Sequence, residues 1–214
     1  MKKNVYLFVF LCLSIFSYSQ KFQSAVVEMK DGTNKSGFVQ SKSLSNGKQI
    51  QFKVSEDAKA EAILNSGINA IEFTTNTNKN YRLDYVAIYS NAKKNKSEST
   101  WMLKLLSGYY DLYILADYSF DKAGNIVLST DYMAGRTLPE FYYFVKKPSE
   151  SAGEMFALYS SAPNYLGLHK ILKESVSRLM ADDPALVKKV ESKQLSTKHI
   201  EQIVKQYNDF KAKM

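Results

Sequence analysis

Cysteine is almost missing from this chain of 214 residues: there is one, Cys12, and it lies within an N-terminal apolar run. A lone thiol builds neither a disulfide framework nor a zinc–thiolate site. Histidine is nearly as scarce, with only His169 and His199. Neither has a second histidine or a carboxylate at the spacing of a metal motif such as H-E-x-x-H. Both fall in helix-patterned sequence, where a surface or interhelix role is ordinary. A G-x-S-x-G elbow, a Gly-rich phosphate loop and a dinucleotide fingerprint are all lacking. These absences leave no motif-level support for a metal, a bound cofactor or a nucleophilic hydrolase, and no cofactor is expected.

Charge of one sign is also limited. The formal charge is +8, and Lys93-Lys94-x-Lys96, Lys146-Lys147 and Lys188-Lys189 are separate small clusters. Such clusters read as solvated loop and helix charge. Attraction to an anionic envelope surface stays open, and nothing resembles a nucleic-acid module.

What the N-terminus has is an address. Lys2 and Lys3 precede the apolar run Val5–Phe16, and Ser17-Tyr18-Ser19 places small residues at the −3 and −1 positions of a cleavage site. This is the layout of a secretory signal peptide over residues 1–19, too short for a convincing membrane span. An uncleaved anchor is the alternative reading. Cys12 follows Phe10-Leu11 rather than small residues, which argues against a lipoprotein. Removing the first 19 of 214 residues leaves 195 and takes two of the 29 basic side chains, so 27 stand against 21 acids, a formal charge of +6. The only thiol goes with them. A chain of this length buries a sizeable core without disulfides.

The centre of the chain is Trp101–Phe120, WMLKLLSGYYDLYILADYSF. Two β-prone runs flank Ser107-Gly108, which predicts a hairpin. With a two-residue loop, Leu106 faces Tyr109, Leu105 faces Tyr110, Lys104 faces Asp111, Leu103 faces Leu112, Met102 faces Tyr113, and Trp101 faces Ile114. Side chains alternate along a strand. One face then holds Trp101, Leu103, Leu105, Tyr110, Leu112 and Ile114, and should meet the core. The other holds Met102, Lys104, Leu106, Tyr109, Asp111 and Tyr113. Lys104 opposite Asp111 would add about 0.2–1 kcal/mol.

Around this centre, the Asp31-Gly32 turn predicts a hairpin between Ala25–Lys30 and Lys35–Gln40. Gln49–Val54, Ile68–Thr75, Tyr81–Ser90, Ile126–Tyr132, Phe141–Val145 and Met155–Tyr159 read as further strands. Alanine-rich Glu56–Leu64 reads as a short helix, and Asn91–Ser99 as a charged loop. Ile-x-Phe recurs at Ile50/Phe52 and Ile71/Phe73. After Pro163 the period changes. Leu168, Ile171, Leu172, Val176 and Leu179 share one helical face. Asp183-Pro184 starts a second helix, Pro184–Ser192. Ser196 caps a third, with Leu195 and Ile200 placed as a hydrophobic staple. The expected fold is α+β: an antiparallel β body, barrel- or sandwich-like, over residues 20–162, and three short helices over 163–214 packed on it.

The lysine-started leader ending in Ser-Gln, the Ser-Gly-Tyr-Tyr-x-Leu-Tyr centre, the Phe-Tyr-Tyr-Phe-Val-Lys-Lys strand, and the tail motifs Leu-x-x-Asp-Asp-Pro-Ala-Leu and Ile-x-x-Ile-Val-x-x-Tyr-Asn together resemble a group of uncharacterised exported envelope proteins of Bacteroidota. The likeness covers most of the chain and is most specific over Asp182–Asn208. In some relatives a similar segment precedes a membrane β-barrel. The group often has a cysteine where this chain has Asp183. The resemblance implies export and no particular activity. The chain ends in a basic helix rather than a strand-rich sorting domain, which favours the periplasm over the exterior.

Among the carboxylates near the centre (Asp111, Asp117, Asp121, Asp131, Glu140), Asp111 is explained by Lys104 and Asp121 by turn chemistry. Asp117 has no evident structural task. Paired carboxylates in an open pocket roughly 5–10 Å apart would support glycoside hydrolysis. The aromatics, 15 Tyr and 12 Phe, suit contact with sugar or protein. Tyr109, Tyr113 and Asp117 are therefore the candidate ligand-binding residues, unless the C-terminal helices cover that face. The expected function is a non-catalytic envelope protein that binds or scaffolds, with an envelope protein or a glycan as partner. A periplasmic small-ligand or glycan binder is the alternative, and a hydrolase the third reading.

Overall fold

The computed structural model describes residues 22–44, 47–75, 78–89, 96–121, 125–129, 140–160 and 167–214. The expected signal peptide and its expected cleavage site, Cys12, most of the charged loop after Tyr89, the end of the strand expected at Ile126–Tyr132, Asp131 and Pro163 lie outside them.

The N-terminal half supplies six strands: β1 (Phe22–Met29), β2 (Asn34–Gln40), β3 (Gln49–Lys53), β4 (Glu61–Leu64), β5 (Ile68–Thr74) and β6 (Asn80–Tyr89). The centre supplies β7 (Ser97–Leu106), β8 (Asp111–Leu115) and β9 (Asp117–Phe120), followed by β10 (Ile126–Ser129), β11 (Glu140–Lys146) and β12 (Glu154–Ser160). Ten of them form one antiparallel sheet in the order β12-β11-β8-β7-β6-β5-β1-β2-β3-β4, and β9 pairs with β10 as a separate hairpin. The sheet is open and sandwich-like rather than a closed barrel. Its β12 end nevertheless curls back, so that Gly153, just before β12, makes a parallel bridge to Ile88 of β6.

The β1–β2 hairpin forms as its turn chemistry predicts. Gly32 takes φ +86°, and the Asp31 carboxylate accepts from the Thr33 amide at 2.9 Å and hydroxyl at 2.6 Å. The short helix expected at Glu56–Leu64 is a correction. Glu61–Leu64 is strand β4, with Ile63 paired to Ile50, and burial of both at alternating positions outweighs the helix propensity of the alanines. Ile50, Phe52, Ile71 and Phe73 all enter one core.

The central hairpin forms in a different register from the one expected. Leu103 pairs with Ile114, Lys104 with Tyr113, and Leu106 with Leu112, with a bulge between Lys104 and Leu106. The loop is Ser107–Tyr110, two residues longer than a tight turn. A two-residue shift keeps the parity of the faces. Trp101, Leu103 and Ile114 still reach the core, and Lys104 still meets Asp111 at 2.9 Å, now on a diagonal.

Three helices follow: α1 (Leu168–Leu179), α2 (Pro184–Glu191) and α3 (Ile200–Lys211). Asp183 caps α2 by accepting from the Leu186 amide at 3.0 Å. Ser196 caps the turn leading into α3, and His199 closes a capping box onto it. Leu195 and Ile200 are both buried in the helix core. His169 joins two helices, its Nε2 lying 3.0 Å from the Val190 carbonyl oxygen.

One face of the sheet carries two apolar clusters side by side. The first gathers Val27, Val39, Ile50, Phe52, Ile71, Phe73, Leu83, Trp101, Leu103 and Ile114 with residues of the β9–β10 hairpin. The second joins Tyr110, Leu112, Val145, Phe156 and Ala157 to the inner faces of all three helices. A third cluster, Val86, Met102, Tyr113 and Phe144, lies on the opposite face. The helices therefore dock on the face expected to be the core face. The second hairpin face, expected beneath them, is instead buried at Met102 and Tyr113 by β6 and β11. The correction follows from the sheet's curl, which needs no helix to cover that side.

Candidate functional site

Tyr109, Tyr113 and Asp117 are not brought together. Tyr109 sits in the hairpin loop and is 39% exposed. Tyr113 is buried at 3% in the third cluster. Asp117 opens β9, its backbone opposite Ser129 of β10.

Tyr113 anchors an ionic ladder across the sheet. Its hydroxyl donates towards Asp84 Oδ2 at 3.0 Å and Asp111 Oδ2 at 3.2 Å. The Lys104 ammonium contacts the same two oxygens at 3.0 and 2.9 Å. Arg82 continues the ladder to Asp84 Oδ1 at 2.7 Å and to Glu28 at 2.9 Å. Glu28 and Asp84 lie on either side of Ala70 in the strand register, and that small, buried side chain leaves room for the Arg82–Glu28 contact. Burial and the two aspartates push the Tyr113 phenol far up, so it stays a neutral donor. Burial opposes the charge on Lys104, but hydrogen bonds and attraction from Asp111 and Asp84 outweigh it and hold its pKa above the usual lysine range. Asp84 and Asp111 are thus paired carboxylates, as a hydrolase would need, but the same ammonium and phenol occupy both. That arrangement fixes strands rather than moving protons.

Tyr109 belongs to a second constellation at the hairpin tip. Tyr110 stacks on Tyr207 of α3 with centroids 5.8 Å apart, and Tyr109 meets both rings edge-on at 5.2 and 5.8 Å. The ammonium groups of Lys211 and Lys147 lie 4.9 and 5.3 Å from the Tyr109 ring centre, within cation–π range. Asn208 locks the tip. Its side-chain amide accepts from the Tyr110 amide at 2.9 Å and donates to the Tyr110 carbonyl at 2.9 Å. Both backbone groups of Tyr110 are taken by a helix 98 residues away. The tip of the longer loop is thus held from outside the hairpin. Tyr109 and its neighbours are therefore a docking joint within the chain.

The most ligand-like geometry lies elsewhere. Tyr143 touches both clusters on the covered face, Phe141 the first and Tyr159 the second. Over β11 and β12, beside the entry to α3, lies a cleft of about 580 Å³. Phe141, Tyr143 and Tyr159 form its floor, and the chain from Thr197 to Gln202, entering α3, forms its wall. Phe141 and Tyr159 face each other across β11 and β12, their rings within 12° of parallel and centroids 6.2 Å apart. Burial, with Glu201 and Tyr159 adding to it, pushes the Tyr143 phenol up to about 12. The Ser196 amide donates to His199 Nδ1 at 3.1 Å. An accepting Nδ1 is unprotonated, so Nε2 carries the ring proton. The volume falls in the range typical of small-ligand sites.

The sequence contains a usable signal for this cleft: Phe141, Tyr143 and Tyr159 alternate along two strands, and Ser196-x-x-His199 begins a helix. Nothing local says that these two segments meet. Among the described residues no cluster of histidine, cysteine and carboxylates is arranged to hold a metal ion, and no helix is long and apolar enough to cross a membrane. Comparison of the chain with protein-family models, with curated proteins and with solved structures finds no match to any of them.

Proposed function

We propose that this chain is an exported, non-catalytic binding protein of the cell envelope, and that its ligand seats in the cleft between β11–β12 and the start of α3. The cleft is the observation that carries the reading. It has an aromatic floor, a polar wall and the volume of a small-ligand site. The signal-peptide pattern and the resemblance to Bacteroidota envelope proteins support export, with the periplasm as the favoured compartment. A scaffolding role is compatible with the same surface. A hydrolase is less well supported, because Asp84 and Asp111 are tied to Lys104 and Tyr113.

The test has two parts. Fractionation of native cells with mass spectrometry should find the chain outside the cytoplasm, beginning at Gln20. A photo-crosslinking amino acid at exposed Gln202 should then yield an adduct in those cells, while the same group at Leu64, 60% exposed on β4, should not. Cytoplasmic retention would overturn export, and equal labelling at both positions would overturn the cleft as the binding site.

A further inference from the structure

The cleft's lining has a chemical character that narrows its ligand, on the reading that it is a binding site. The floor offers aromatic side chains: the rings of Phe141 and Tyr159 stand nearly parallel, with Tyr143 one step along the same face of β11. All three are half-buried, so they are held in place and still reachable. The wall offers groups that donate and accept in mixed order. Thr197 has a hydroxyl, Gln202 an amide, and His199 an Nε2–H left over once Nδ1 accepts from Ser196. Tyr143 and Tyr159 add phenols from the floor. None of Tyr143, Tyr159, Thr197 and Gln202 makes a side-chain hydrogen bond with another described residue, so their capacity is uncommitted.

Charge decides between ligand classes. Among the described residues, the lining carries one cation, Lys198, and one anion, Glu201. An anion site would cluster donors and positive charge, and a cation site would present carboxylates. A wholly apolar guest, such as an acyl chain, would leave the polar wall without partners, which disfavours it. The fitting ligand is uncharged, has an apolar face to lie on aromatic rings, and has a rim of groups that both donate and accept. A pyranose ring meets all three conditions: its axial C–H bonds form a face, and its equatorial hydroxyls form a rim.

We infer that the cleft binds a neutral saccharide, one sugar ring lying against Phe141 and Tyr159 with its hydroxyls reaching Thr197, His199 and Gln202. Glycan binding here uses the β11–β12 pair and the α3 entry, not the central hairpin.

The experiment titrates the purified exported chain, followed by amide NMR, with cellohexaose, maltohexaose and hexa-N-acetylchitohexaose as neutral probes. Hexagalacturonate serves as the anionic probe, and a tryptophan-bearing hexapeptide as the aromatic non-sugar probe. At least one neutral hexasaccharide is expected to shift the Thr197–Gln202 amides saturably. Tyr159→Ala should weaken that binding at least tenfold and Tyr159→Trp should retain it. The exposed Gln202→Ala, which leaves the floor untouched, should weaken it by severalfold if the Ala variant at 159 does not fold. Tighter binding of hexagalacturonate with strong salt dependence, or of the hexapeptide, would overturn the assignment. If no neutral sugar saturates at millimolar concentration while the Gln202 photo-adduct forms in cells, the saccharide class falls and the cleft stands. If neither occurs, both fall.

Discussion

Two hairpins of this chain, β1–β2 and β7–β8, look alike on paper and are held by different means. Each joins β-prone runs through a glycine. In the β1–β2 hairpin the turn closes itself: Gly32 takes the left-handed conformation and the Asp31 carboxylate holds Thr33 two residues on. In the β7–β8 hairpin, Asp111 steadies the loop from within, accepting from the Gly108 amide at 3.2 Å. The decisive contact is Asn208, which arrives from the last helix. A Cβ built on Gly108 would lie 2.7 Å from Asn208 Cγ, so the glycine there serves the close approach of another element. A glycine in a hairpin can thus mean either a backbone angle or a neighbour.

The largest effect that would break this contrast is expected from Asn208→Leu. It leaves the amide and carbonyl of Tyr110, a residue 3% exposed, without partners, at a cost of about 2–4 kcal/mol. Urea unfolding should show it as a fall in midpoint with little change in slope. If Asn208→Leu costs no more than Asp31→Ala does in the other hairpin, the tertiary account of the loop is wrong. A smaller pair of effects sharpens the distinction. Gly108→Ala should cost about 1–3 kcal/mol through the clash, and most of that should vanish in an Asn208→Gly background, as a double-mutant cycle measures. Gly32→Ala should cost ~1 kcal/mol through its backbone angle alone, since nothing lies within 4 Å of the added carbon, and it should be unaffected by position 208.

The smallest effects separate the hairpins by pH. Burial, then Asp182, pushes the Tyr207 phenol up. Its contribution to stability is complete below the unfolded tyrosine value of about 10 and is lost as pH rises through the folded value. The hydroxyl and amide of Thr33 hold the Asp31 carboxyl below its usual range. That contribution is present above about pH 4 and is lost as pH falls through the folded value. Tyr207→Phe should flatten the stability profile only on the alkaline side, and Asp31→Asn only on the acid side, in urea midpoints measured across pH. Flattening of the same limb by both would show that the two joints titrate together.

These differences explain what the sequence made legible. The antiparallel body, the three-helix tail, the Asp183 and Ser196 caps and the self-closing turn at Asp31-Gly32 are local, and alternation or capping chemistry reveals each. The apolar face of the central hairpin was also readable, because a two-residue shift preserves parity. The register itself was not: the bulge between Lys104 and Leu106 and the contact of the loop with Asn208 have no local signal. Beta strand β4 was hidden because Ile63 finds Ile50 only once the sheet exists. Tyr109 and Tyr113 drew notice as aromatics on one expected face, but one became a helix joint and the other a rung in an ionic ladder. The cleft was hidden for the same reason as the register: its floor and wall are far apart in the chain.

The sheet's two ends carry one more consequence. Any sheet is a template on which a further strand can assemble. At the β12 end the backbone of Gly153 is already engaged, its amide with Ala87 and its carbonyl with Tyr89, so growth there meets an occupied track. At the other end β4 offers four residues, with Glu61 at its start paired to Lys35 at 3.5 Å. A foreign strand would find a short landing with charge at its threshold. Ten strands, in a chain with a single cysteine, thus meet any further strand with a curl at one end and brevity at the other.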